Sequence, residues 1–251
     1  GTRKGNLTEI LEAQAASVRA ITGLDVDVAY FRVSSPTIPE ALEAMASRGI
    51  DRVVAVPFYI AEGTLTRELI PEKLGLQKYQ NLGEVSVGGK NVVVYLASAF
   101  NFNNIVTDII SSRIAAAGGD CDSGILLLGH GTRDSTLMNR EVVAHNARRL
   151  RWKGFDHVEH AFNEFCEPSI KDSIAKLASE GVDKIVCVPV FIAMGLHLGL
   201  EIPEQIGIPP YSDGGVIEVD GRKIEVRYTA PLGDDPRLAT FVARKALQFL
   251  R

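Results

Sequence analysis

The feature that most constrains this chain is its agreement with itself. Pro36 recurs as Pro168, Gly49 as Gly181, Pro57 as Pro189, Gly63 as Gly195, and Ile70-Pro71-Glu72 as Ile202-Pro203-Glu204, every pair 132 positions apart. The Gly88-Gly89 pair recurs as Asp220-Gly221 at the same offset. Prolines and glycines punctuate backbone geometry, so a constant offset between them means that one folding unit is written twice. A Gly/Asp/Ser-rich connector over 117–124 separates the copies, which gives domains at 1–120 and 121–251.

Hydrophobic spacing says what the unit is. In the first copy, Leu7, Ile10, Leu11, Ala15 and Val18 mark a helix over 6–21. Val26–Val33 reads as a strand, 36–48 as a helix closed by Gly49, and Arg52–Ile60 as a continuous apolar strand. A short helix follows over Leu65–Leu74, then a hairpin over 85–94 turning at Gly88-Gly89, then a helix over 102–117. Alternating strands and helices imply parallel sheets covered on both faces: two tandem flavodoxin-like α/β domains. Gly1-Thr2-Arg3 matches Gly131-Thr132-Arg133, so the first copy starts just past its opening strand. Because a flavodoxin-like order makes that strand central, the expectation is a truncated sequence.

Composition narrows the partners. A formal net charge of −4 offers no general attraction for nucleic acid or an anionic membrane. No apolar run approaches the ~20 residues of a membrane span, and no charged N-terminal segment leads into an apolar one, so a cytoplasmic location is expected. Cys121, Cys166 and Cys187 are too scattered for a disulfide framework or a Cys-x-x-Cys metal site. The fused copies already supply a pseudo-dimer, so a monomer or a weak homodimer is expected.

Ligands of open α/β sheets bind beyond the carboxyl ends of the strands. Three polar residues of the second copy stand there. His130 ends the apolar run Ile125–Leu128, Glu164 follows the strand over 158–162, and His197 follows the strand over 184–191 after the turn Ala193-Met194-Gly195. Two imidazoles and a carboxylate can hold a borderline divalent metal such as cobalt, nickel, iron or zinc, or move protons. The first copy has Arg32 at the place of Glu164 and Leu65 at the place of His197, so the fold itself does not require the polar trio. Among the remaining candidates, Arg133 could meet a carboxylate or phosphate or simply be an exposed charge at a helix start. His145 reads as solvated, His157 and His160 as strand-surface groups, Cys166 as a loop thiol and Cys187 as core. Met and Leu side chains around 194–200 suit either an apolar wall for a flat ligand or ordinary packing.

Leu126-Leu-Leu-Gly-His-Gly-Thr-Arg133, Glu164 with Pro168-Ser169-Ile170, and Val188–His197 followed by Glu201-Ile202-Pro203 together resemble the sirohydrochlorin cobaltochelatase/ferrochelatase family of class II chelatases. The resemblance implies insertion of a divalent metal into a sirohydrochlorin-type tetrapyrrole. Cobalt is the first expectation, nickel or iron the alternatives, with the metal a substrate and no permanently bound cofactor. It further implies that His130 and His197 bind the metal and that Glu164 receives pyrrole protons or guides the ion. Two-half members of the family carry these histidines in their N-terminal half, so here the active half has switched or the chain is an atypical branch. The first copy is then expected to form the opposite wall of the cleft, with Thr64, Thr66 or Arg67 meeting substrate carboxylates. A non-catalytic metal or tetrapyrrole carrier is the rival reading. A histidine phosphatase fits poorly, because Gly129 stands where its Arg-His-Gly motif needs the phosphate-clamping arginine.

Overall fold

The computed structural model describes residues 7–32, 34–133 and 138–250. The correspondence drawn through Gly1-Thr2-Arg3 lies outside them. In chain order the first copy contributes α1 (Leu7–Thr22), α2 (Ile38–Ser47), β1 (Arg52–Ala55), a π-turn (Leu65–Leu69) running into α3 (Ile70–Lys73), β2 (Leu82–Val87), β3 (Lys90–Leu96) and α4 (Asn104–Ala116). The second contributes β4 (Gly124–Gly129), α5 (Met138–Trp152), β5 (Val158–Phe162), α6 (Ile170–Ser179), β6 (Lys184–Pro189), a second π-turn (His197–Glu201), α7 (Ile202–Ile206), β7 (Gly214–Val219), β8 (Arg222–Tyr228) and α8 (Arg237–Leu250).

Packing groups these elements into two compact units that do not coincide with the repeat. One is built on Phe102–Asp235, the other on Leu11–Asn101 with the segment from Pro236 onward. Each copy's last helix is thus housed with the other copy's sheet: α4 lies against α5 and β6, and α8 against β1. In the latter, Val18 of α1 and Ala239 and Ala243 of α8 share a small buried cluster with Val26 and Val242 at its rim.

The unit carrying the second copy's sheet has five strands in the order β5-β4-β6-β8-β7. β4 is an interior strand, paired in parallel with β5 on one side and β6 on the other, and every residue from Gly124 to Gly129 is buried. That explains the unbroken apolar run: a strand covered on both faces has no polar side. Burial of each of Leu126, Leu127 and Leu128, all fully inaccessible, contributes about 1.5–3 kcal/mol. The edge is the antiparallel hairpin β7–β8, turning at Asp220-Gly221, both at positive φ.

The first copy's sheet has only β1-β3-β2. Its hairpin forms where expected, with Gly88 and Gly89 at φ 56° and 79°, the paired positive angles of a tight two-residue turn. Two strand expectations need correction. Val26–Val33 forms no strand among its described residues; only Tyr30 makes an isolated bridge, to Thr37. Its counterpart β5 is held in a ladder by β4, whereas among the described residues this segment makes only that one bridge. Arg52–Ile60 shortens to the four residues of β1, paired among the described residues with β3 alone, where β6 has neighbours on both sides. The helix expected over 65–74 divides into a π-turn and α3. Pro71 and Pro203 lack the N–H that would bond the fourth residue back, and the freed carbonyls of Arg67 and Gly199 instead accept from Tyr79 and Tyr211 at 2.6 and 2.7 Å.

No helix among the described residues is long and apolar enough to cross a membrane.

Candidate active site

The ends of β4 and β5 set the floor of the site. Their ladder continues into the loops, where Asn163 N–H donates to the Gly129 carbonyl (2.9 Å) and Glu164 N–H to that of His130 (3.0 Å). Closing this gap requires glycine on either side of the histidine. A Cβ on Gly129 would lie 2.9 Å from both Phe162 and Val143, and one on Gly131, at φ +90°, would lie 1.8 Å from the Glu164 carbonyl oxygen. The Gly-His-Gly triplet is therefore the steric condition for seating His130 beside Glu164.

His197 arrives from the second π-turn. Its ring meets that of His130 edge to face, centroids 4.9 Å apart, and its Nδ1 is 3.9 Å from Glu164 Oε1. The three residues proposed from sequence thus converge, and each of Glu164 and His197 keeps about a third of its side chain exposed, 34% and 39%. Phe165 and Phe191 flank the His130 ring at 6.3 and 6.2 Å. Phe165 is half exposed, adopts φ 67°, a left-handed backbone that non-glycine residues seldom take, and carries the Arg133 guanidinium 4.6 Å above its ring. Arg133 is consequently an exposed cation at the rim of the site.

Two further residues join the trio: Glu201, a motif residue with no role assigned from sequence, and Asn163. Glu201 Oε2 lies 2.5 Å from His197 Nδ1, and this bond, followed by one from Asn163, holds the Glu201 carboxyl below its ordinary range. Asn163, nearly buried, donates to Glu201 Oε2 at 3.3 Å, and its own carbonyl accepts from Gln205 Nε2 at 2.8 Å. Among the described residues, Glu164, His197 and Glu201 form the one group whose potential metal-ligating atoms all lie within 4.8 Å of one another.

The other candidates separate from this cluster. Thr64 and Arg67 belong to the other compact unit. Thr64 is exposed at the start of the first π-turn, and Arg67 pairs with Glu62 at 2.8 Å beside a pocket of about 340 Å³ that Tyr79, Tyr95 and Ser98 also line. Thr66 is buried, its hydroxyl closing its own turn on Gly63, which leaves it nothing to offer a substrate. His145 is only partly solvated: it is half-buried against Phe102, and burial lowers its pKa. His157 pairs with Glu180, while His160 is half buried on the edge strand β5, its pKa lowered chiefly by burial. Cys166 lies in the loop after Glu164, and Cys187 is core, its thiol pushed up to about 12 by burial. Met194 packs against the main core cluster, so that part of the 194–200 segment is ordinary packing.

The family model for CbiX matches residues 1–117 and again 124–248. The chain belongs to the CbiX family. This is the class II chelatase family that the motifs around His130, Glu164 and His197 resemble, and its model fits this member twice. Relatives of this CbiX chain include a protein of Methanococcoides burtonii named sirohydrochlorin cobaltochelatase, 38% identical over 128 residues that make up 51% of this chain and 96% of the relative. A protein of the same name from Methanopyrus kandleri is 37% identical over 134 residues, 47% of this chain and 90% of the relative. Among solved structures, that described as SirB from Bacillus subtilis with Fe3+ superposes with a TM-score of 0.72 over 98% of this chain and 92% of its own, at 17% identity. That likeness establishes a shared fold.

Proposed function

We propose that this CbiX chain inserts a divalent metal ion, cobalt(II) foremost, into sirohydrochlorin, with the second copy as the catalytic half. The observation that carries the reading is the convergence of His130 and His197, 4.9 Å between ring centroids, beside the Glu164 carboxylate on an accessible strand-end surface. The preference for cobalt over nickel or iron is supported by the names of the relatives, because two imidazoles and a carboxylate follow the general affinity order and do not discriminate strongly.

Metallation exchanges two pyrrole protons for one dication, so the site must strip water from the metal, release it again and accept protons. Two histidines at an open surface hold a metal substrate through few bonds, which permits release where a closed four-ligand cage would retain it. Glu164, within 3.9 Å of His197 Nδ1, is the base for the pyrrole protons, and with Glu201 it supplies negative charge that draws in a dication. Phe165 offers the macrocycle a flat apolar contact, and Arg133 above it meets a substrate carboxylate. Thr64 and Arg67 are the first copy's candidates for further substrate carboxylates, Arg67 by exchanging its partner Glu62.

The test is anaerobic incubation with sirohydrochlorin and Co2+, following tetrapyrrole absorbance against the spontaneous rate. His130→Ala and His197→Ala are each expected to reduce the accelerated rate at least about 100-fold. Acceleration that survives both changes excludes this site. Metal or tetrapyrrole binding without acceleration would make the protein a carrier.

A further inference from the structure

The polar groups behind His197 form a chain of their own. Glu201 Oε2 lies 2.5 Å from His197 Nδ1, Asn163 Nδ2 donates to the same oxygen at 3.3 Å, and Gln205 Nε2 donates to Asn163 Oδ1 at 2.8 Å. A carboxylate oxygen and an unprotonated ring nitrogen would repel at 2.5 Å, so the proton of the neutral imidazole belongs on Nδ1. Asn163 Nδ2 is also 3.3 Å from His197 Nδ1, but two donors cannot bond each other, and its proton is directed to Glu201. The Asn163 amide is itself fixed, because its oxygen faces the Gln205 donor.

The first copy shows that this arrangement accompanies the histidine and not the fold. At the same offset of 132, Leu65 stands for His197, Leu69 for Glu201, Phe31 for Asn163 and Lys73 for Gln205. Both π-turns keep their backbone, with Ile70 N–H donating to the Leu65 carbonyl and Ile202 N–H to that of His197. All four members are therefore absent together where the histidine is absent, while the framework persists.

On the reading of His197 as a ligand for the metal substrate, we infer that Glu201 is its positioning residue. It holds the Nδ1–H tautomer and the ring orientation, so that Nε2 presents its lone pair to the incoming ion; Asn163 and Gln205 hold Glu201 in turn. Carboxylates that accept from the far nitrogen of a metal-binding imidazole raise its basicity and restrict its rotation. The i, i+4 placement of His197 and Glu201 puts both on one side of the turn, so the pairing is local and preformed.

The experiment combines two readouts on the full chain. In 15N-histidine-labelled protein without metal, at a pH raised until the ring-nitrogen shifts stop changing, the spectrum of His197, assigned by its loss in His197→Ala, should show the Nδ1–H tautomer. Glu201→Gln and Glu201→Leu should mix or reverse the tautomers, Glu201→Asp should partly restore them, and Gln205→Leu should have a smaller effect. In Co2+ titrations, Glu201→Gln should weaken binding roughly 10–100-fold, with KM for sirohydrochlorin unchanged and kcat reduced. An Nε2–H tautomer in the unaltered protein, or Co2+ affinity within about twofold in Glu201→Gln, overturns the assignment. If His197→Ala leaves Co2+ binding intact, the underlying reading of His197 as a ligand has failed instead, and the two failures are told apart by that variant alone.

Discussion

Gly131 decides more about the site than its lack of a side chain suggests. A methyl group there would stand 1.8 Å from the Glu164 carbonyl oxygen, and the residue sits at φ +90°. Gly131→Ala must therefore separate the two loops that carry His130 and Glu164, at a cost of roughly 3 kcal/mol or more from combined backbone strain and displacement. A denaturant midpoint lowered by that amount, with Co2+ binding lost, is the expected outcome; unchanged stability would show that the loops can part freely. At this scale the sequence was informative about donors and silent about their supports. His130, Glu164 and His197 are read from strand-end position and from Arg32 and Leu65 at the matching places. Glu201 stands in the sequence only as part of a motif and Asn163 carries no signal of its own, although the same comparison sets Leu69 and Phe31 against them. A carboxylate four residues after a histidine is common on helices, so only the 2.5 Å approach distinguishes it.

Among the elements, β4 and β1 show what pairing contributes beyond propensity. β4 has a ladder on each side and is buried throughout, whereas β1 has one partner and keeps its first residue exposed. Truncating Leu127→Ala, at the centre of β4 and fully buried, should cost about 2–5 kcal/mol. Val93→Ala on β3, 40% exposed, should cost less than about 1 kcal/mol. Paired chemical denaturation of the two variants measures the difference, and equal losses would deny that a ladder on each side sets β4 apart. The hairpins were legible because Gly88-Gly89 and Asp220-Gly221 carry their own turn geometry. Val26–Val33 has a composition that suits a strand, but among its described residues only Tyr30 is bridged, to Thr37, because composition does not specify a pairing partner. The π-turns left no periodic signal; their cause is the paired Ile-Pro of Ile70-Pro71 and Ile202-Pro203, visible only as a break in helical bonding.

For the whole molecule, duplication explains how one fold can carry unequal chemistry. The repeated punctuation preserves backbone geometry in both copies, while Glu164, His197, Glu201 and Asn163 of the second correspond to Arg32, Leu65, Leu69 and Phe31 at the matching places of the first. The repeat and its boundary near 120 were readable from sequence, but the allocation of terminal helices was not, since hydrophobic spacing tells that a helix buries a face and not against which sheet. α4 supplies Val106, Ile109, Ile110 and Ile114 to the core of the unit built on the second copy, all fully buried, and its Thr107 hydroxyl donates to Asn146 of α5 at 2.6 Å. α8 gives Phe241 to the other unit, where its ring lies 5.0 Å from that of Phe100.

The exchanged helices make the chain behave like two hands each holding the other's wrist. Cutting the connector between Gly118 and Ser123 severs the only covalent join at that point, yet it leaves α4 lodged among residues of the other fragment and α8 likewise. A protease site inserted there should yield two polypeptides that co-elute as one species on size exclusion and separate only in denaturant. Fragments that drift apart under native conditions would show that the buried helices are too weakly held to act as a clasp. With the clasp intact, backbone continuity is not what keeps the halves together.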